Sequence, residues 1–205
     1  MKIPHLTRHT ALFSVVAVIL SASTVSANGR EFSPQERHLL DSGKLVKRQV
    51  SQRRGNRHLF GGTSWQVIDA DADYVWRVIN DVRKYPAIFP HLVEAKLLAK
   101  RGASRTVYLE HASGPFHVSY ALKGVADVKH HDLNFKLDTS RPRDIDAAWG
   151  FFSVRPYGAG RSILTYGVML DIGSGLLRGL LRDKIRGTLL HIPRNVRQYI
   201  HQHRS

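Results

Sequence analysis

The sequence predicts an α+β domain in which a strongly curved antiparallel sheet wraps around a long carboxyl-terminal helix. Three observations predict it. From about residue 62 to residue 171, strand-like runs, most of them alternating apolar and polar, follow one another with short glycine-, proline- or aspartate-bearing turns, as in an antiparallel meander. One helical run interrupts them: in Asp73-Tyr-Val-Trp-Arg-Val-Ile-Asn-Asp81-Val-Arg-Lys-Tyr85-Pro-Ala-Ile-Phe-Pro90, the residues Val75, Trp76, Ile79 and Val82 recur at spacings of three and four. Finally, Ser174 to Ser205 carries a broad apolar stripe and is the one remaining segment long enough to cover an apolar sheet face.

The chain opens with Lys2 and Arg8, an apolar stretch from Ala11 to Leu20, and the small-residue exit Val25-Ser26-Ala27. A positive flank, a short apolar core and a small-x-small end predict a cleavable secretory signal over residues 1–27. The apolar run is shorter than the roughly 20 residues that span a bilayer. The mature protein is therefore expected to be exported, periplasmic or secreted.

Residues 28–57 read as an amino-terminal extension ahead of the domain, which is expected over residues 58–205. Within the extension, Ser33-Pro34 with Glu36 predicts a short helix start, and Ser42-Gly43 its end. Lys44 to Gln52 alternates in part and predicts an extra edge strand guarded by its charges. Gly62 to Asp69 predicts the strand that leads into the helical run. Asp71 is placed as that helix's N-cap, Asp73 favours its dipole, and Pro86 is expected to end it. Tyr85, Ile88 and Phe89 then form an apolar knuckle between prolines.

Strands are predicted next over His91–Lys100, Arg105–His111, Phe116–Val128, Leu133–Leu137, Ile145–Arg155 and Arg161–Asp171. Phe116, Val118, Tyr120 and Leu122 share one face, as do Leu133, Phe135 and Leu137, and Leu164, Tyr166, Val168 and Leu170. In 145–155 two parities compete, Ala147, Trp149 and Phe151 against Ala148, Phe152 and Val154. In the closing helix Leu176, Leu177, Leu180, Leu181, Ile185 and Leu189 form the stripe. Arg178, Arg182, Lys184 and Arg186 mark the remainder, and Pro193 should kink or split the helix.

The strand, the run VWRVINDVRKYPAIFP, the strand succession and the basic last helix together resemble the START-like, or SRPBCC, superfamily. That group includes polyketide cyclases, lipid-transfer domains and coenzyme Q-binding proteins, and the likeness covers about residues 58–203. The resemblance implies a helix-grip fold with a ligand space between sheet and final helix. Carried onto this chain, it implies walls built from Phe116, Tyr120, Phe135, Trp149, Tyr166, Leu177 and Leu181, with Tyr85, Ile88 and Phe89 near one end. A packed core with no cavity fits the same alternation equally well.

Lysine and arginine number 31 against 16 acids, a net charge of +15; taking away Lys2 and Arg8 with the signal leaves +13. Such an excess favours anionic partners, and export makes nucleic acid the least fitting of them. The basic face of the last helix, Arg178, Arg182 and Arg186, predicts docking on an anionic membrane surface. With no cysteine, disulfides and thiolate chemistry are excluded.

No HExxH, GxSxG or phosphate-loop pattern occurs, the scattered histidines form no ligand set, and no metal or cofactor is expected. Glu110 is the nearest acid/base residue on a strand. A carrier for a hydrophobic small molecule or lipid is the reading preferred. A cyclase- or aromatase-like enzyme and a solid-cored envelope adaptor stay open beside it.

Overall fold

The computed structural model describes residues 32–173 and 185–203. The predicted signal, residues 1–27, lies outside the described residues, as do Leu177, Leu181, Arg178 and Arg182.

Helix α1 (Pro34–Asp41) starts on a capping box: the Ser33 amide donates to Glu36 Oε2 at 2.8 Å, and the Glu36 amide to Ser33 Oγ at 3.2 Å. Glu36 also receives Nε and Nη2 of Arg48 at 2.9 and 2.7 Å, which ties α1 to strand β1 (Val46–Arg54). Arg48 lies against the Phe32 and Trp65 rings, 5.7 and 5.1 Å from their centroids. β1 pairs along its whole length with β2 (Arg57–Ile68), so Val46–Arg54 is an edge strand of the same sheet as the rest.

Helix α2 (Ala72–Asn80) buries Val75, Trp76, Val78 and Ile79. Asp71 occupies its N-cap, without a hydrogen bond from the side chain. Pro86 does not end this helix. The chain turns extended at Asp81 (φ −96°, ψ 101°), makes a 3-10 turn at Val82–Lys84, and begins a new one-turn helix, α3 (Tyr85–Ile88), with Pro86 in its first turn. The first turn needs no amide from proline, so Pro86 starts a helix as readily as it stops one. Asp81 sets the break, accepting from the Arg83 amide at 3.2 Å.

Six further strands complete the sheet: β3 (Leu92–Arg101), β4 (Ser104–Ser113), β5 (Phe116–Asp127), β6 (Asp132–Leu137), β7 (Ala147–Pro156) and β8 (Ser162–Asp171). The order is β1-β2-β8-β7-β6-β5-β4-β3, antiparallel throughout. The α2–α3 segment carries the chain from β2 across to the far edge. Helical residues 185–188, a 3-10 turn at Leu189–His191 and helix α4 (Ile192–His203) close the described chain. Pro193 falls in the first turn of α4, where the last segment splits.

The largest core cluster joins α2 and α4 to the inner sheet face through Val75, Ile79, Phe152, Leu164, Val196 and Ile200. Strand β2 lies unusually close to both of its neighbours. Gly61 and Gly62 have φ of 156° and 138°, and a side chain on either would run into a neighbouring carbonyl oxygen, that of Val168 or Arg48. At this point three strands approach more closely than any side chain would permit.

Candidate functional site

The closing segment packs on the sheet through Val196 and Ile200 of α4, but residues 185–192 stand off from it. Between them lies an apolar cavity of about 150 Å³. One water needs roughly 10–15 Å³ on this measure, so the space holds on the order of ten waters, or roughly 300 Å³ of liquid. That reaches the lower end of small-molecule sites, ~300–1,000 Å³.

Strand alternation builds the walls. β5 contributes Phe116, Val118, Tyr120 and Leu122; β6 contributes Leu133 and Phe135. Tyr166, Val168 and Leu170 of β8 continue the surface, and Ile185, Leu189 and Ile192 cover it. Tyr85 and Phe89, with Pro90 and His91, close one side. Phe152 stacks on Tyr166 with centroids 4.7 Å apart, and Phe135 lies 6.0 Å from Phe152.

Two expected wall residues lie elsewhere. Trp149 is on the outer sheet face and 38% exposed, a correction to its expected inward position. The inner parity of β7 belongs to Ala148 and Phe152, with Gly150 between them. Gly150 faces Phe135, whose ring tip occupies the space that a side chain there would need. With apolar residues at both parities, the alternation did not decide the face. Ile88 is the second correction: it is 2% exposed and packed in the core cluster of α2 and α4. Its carbonyl receives Asn195 Nδ2 at 2.9 Å, so it anchors α3 to α4 and does not reach the cavity. Arg186 is exposed, with its guanidinium 5.6 Å from the Phe60 ring.

The alternation of β4 brings in residues not expected at the wall. Arg105, Val107, Leu109 and His111 share the inner face, placing a basic residue at each end of an apolar row. The sequence signal was the shared parity of all four. Six residues of strand separate the two ends by about 20 Å.

At one end, His111 Nδ1 lies 3.3 Å from the Pro90 carbonyl oxygen and Nε2 lies 3.1 Å from the Tyr120 hydroxyl. The carbonyl can only accept, so Nδ1 carries the proton and Nε2 accepts from Tyr120. Burial pushes the His111 pKa down and keeps the ring neutral. Burial likewise pushes the Tyr120 and Tyr166 phenols up, so both stay protonated. The Tyr120 oxygen, its proton committed to His111, offers lone pairs to a guest.

At the other end, Arg105 Nη1 donates to the Asn80 carbonyl at 2.8 Å and to its side-chain oxygen at 2.6 Å. Its Nη2 donates to the Tyr85 hydroxyl at 3.0 Å, which in turn donates to the Ile79 carbonyl at 3.0 Å. These bonds satisfy carbonyls at the carboxyl end of α2, where the helix dipole favours a cation.

Glu110 faces the opposite side of β4. It accepts from the Tyr108 hydroxyl at 3.0 Å and sits 3.3 Å from His117 Nδ1, outside the cavity. His130 pairs with Asp127 at 2.6 Å, while His131 pairs with Asp73 at 3.1 Å and stacks on Trp76. Among the described residues no three metal-ligating side chains converge.

A family model described as "Polyketide cyclase / dehydrase and lipid transport" matches residues 68–193. No curated protein matches the sequence closely enough to count as a relative. Similar solved structures include a protein from Thermus thermophilus, at 15% identity and a TM-score of 0.59, covering 70% of this chain and 98% of the other. An aromatase/cyclase from Streptomyces sp. R1128 has 14% identity and a TM-score of 0.59, with 78% and 97% covered. A STAR-related lipid transfer protein from Xanthomonas axonopodis has 14% identity and a TM-score of 0.56, with 76% and 98% covered. At these identities the structures speak for the fold alone, while the family model spans more than half the sequence. The chain belongs to the polyketide cyclase / dehydrase and lipid transport family of the START-like, SRPBCC superfamily.

Proposed function

We propose that this protein is an exported carrier, which shields a hydrophobic small molecule or lipid between its sheet and its closing helix. The observation that carries the reading is the apolar cavity itself, walled by Phe116, Tyr120, Phe135 and Tyr166, in a fold whose family includes lipid transport. The polar groups at its wall, Arg105 and the His111–Tyr120 pair, are few and are held in place by bonds within the protein, and Glu110, the acid considered for catalysis, faces away. A carrier needs a dry, shaped space and few directional contacts, and this site supplies that combination.

Export follows from the amino-terminal pattern of residues 1–27, and docking on an anionic membrane surface from Arg178, Arg182 and Arg186. Among the described residues no helix is long and apolar enough to cross a membrane.

Native mass spectrometry of the protein purified from its own host, followed by organic extraction, tests the carrier. A reproducible apolar adduct supports it. A bare mass in every preparation, with no uptake of the neutral probe N-phenyl-1-naphthylamine, overturns it.

A further inference from the structure

Arg105 is a buried cation in an apolar wall. It is 9% exposed, and among the described residues no aspartate or glutamate pairs with it or lines the cavity. A guanidinium carries five N–H donors. Three are used, two on Asn80 and one on the Tyr85 hydroxyl, all by neutral acceptors. The Nε–H and one Nη2–H have no partner among the described residues.

The register prepares this position. Arg105 pairs across the ladder with Gly124, and its stem runs in van der Waals contact with that position, 3.5 Å from where a Cβ would stand. The arginine lies along the sheet with its head held at the end of α2 by Asn80 and Tyr85. A guanidinium fixed this way, with donors left over, is matched by a carboxylate, whose two oxygens fit its planar fork. The chain shows the same pairing elsewhere: Arg48 holds Glu36 through Nε and Nη2 at 2.9 and 2.7 Å.

We propose that the cavity selects an amphiphile with a carboxylate head, a single-chain or few-ring lipophilic acid whose head lies at Arg105 and whose body runs along Val107 and Leu109 toward Tyr120. The proposal rests on the carrier reading and names its ligand class. A charge without a counter-ion in a low-dielectric wall is costly, and an anionic guest offsets that cost where an ester or hydrocarbon does not. The size of the cavity fits one such chain.

The test is displacement of N-phenyl-1-naphthylamine from the full-length protein at pH 7 by dodecanoic acid and by methyl dodecanoate. The wild type should take the acid at least tenfold more tightly than the ester. In Arg105→Met the preference should fall to near one, with ester affinity held, and Arg105→Lys should restore part of it. A role confined to capping α2 would weaken acid and ester together, which overturns the proposal. Should Arg105→Met fail to fold, the wild-type ratio alone decides, and a ratio near one overturns the proposal while leaving the carrier standing. If the probe and both competitors fail to bind, the carrier reading falls and this proposal with it.

Discussion

The rings of His111 and Tyr120 lie 9° from parallel with centroids 5.7 Å apart, and the tyrosine hydroxyl donates to the histidine across a 3.1 Å gap. Removing that hydroxyl in Tyr120→Phe leaves a buried Nε2 without its donor. Urea unfolding of the variant should show a loss of about 1–3 kcal/mol.

The same pair predicts a pH dependence. Burial holds the folded-state pKa of His111 below 6.5. As pH falls through 6.5 the unfolded chain takes up the proton first, so stability is full above that pH and declines from there down to the folded-state value. His191 is pushed the same way, by burial and by the nearby Lys47. Melting temperature between pH 7.5 and 5 should therefore fall, and His111→Gln should reduce the slope without removing it.

A second, more acidic limb belongs to Asp138. Its carboxylate accepts from Ser140 Oγ at 2.6 Å and pairs with Lys123 at 2.9 Å, which holds its pKa down at about 2, from 3.8. The stability it contributes is present above 3.8 and lost as pH falls toward 2. Asp138→Asn should flatten the melting curve in that window and leave the slope near pH 6 unchanged.

Replacing Gly61 or Gly62 with alanine should prevent folding, because the added atom meets backbone that cannot swing aside. Gly55, at the β1–β2 turn with φ +60° and open space around it, serves as the control. Gly55→Ala should cost only about 1–2 kcal/mol of left-handed strain. Circular dichroism melts of the three variants check this.

Membrane docking predicts that Arg178→Glu, Arg182→Glu and Arg186→Glu together abolish co-sedimentation with phosphatidylglycerol vesicles while the melting temperature holds. Unchanged sedimentation would remove the docking proposal.

Much of this architecture was legible because period-two alternation is unambiguous when only one parity is apolar. Phe116-Val118-Tyr120-Leu122, set against His117, Ser119 and Lys123, reads as an inner row for that reason, and in Leu164-Tyr166-Val168-Leu170 the four large residues outweigh Ile163 and Met169. In β7 both parities were apolar, and the choice fell to Gly150, whose open space admits Phe135. The helix break at Asp81 was hidden because Val82 keeps the helical spacing and is buried even in a 3-10 turn. Arg105 escaped notice because a basic residue at a strand end ordinarily faces water. Its inward position is held by acceptors on Asn80 and Tyr85 at the end of α2, remote in sequence.

The two rims of the sheet are unlike its interior. β1 exposes Arg53 and Arg54, while β3 carries Lys96, Lys100 and Arg101 and loses regular register between Leu92 and Glu94 and again between Leu97 and Ala99. A neighbouring molecule adding a strand at either border would have to crowd cations together, and along β3 it would also meet a ladder whose spacing breaks twice. Concentrated solutions should therefore resist fibril growth despite the exposed Val93, Leu97 and Leu98.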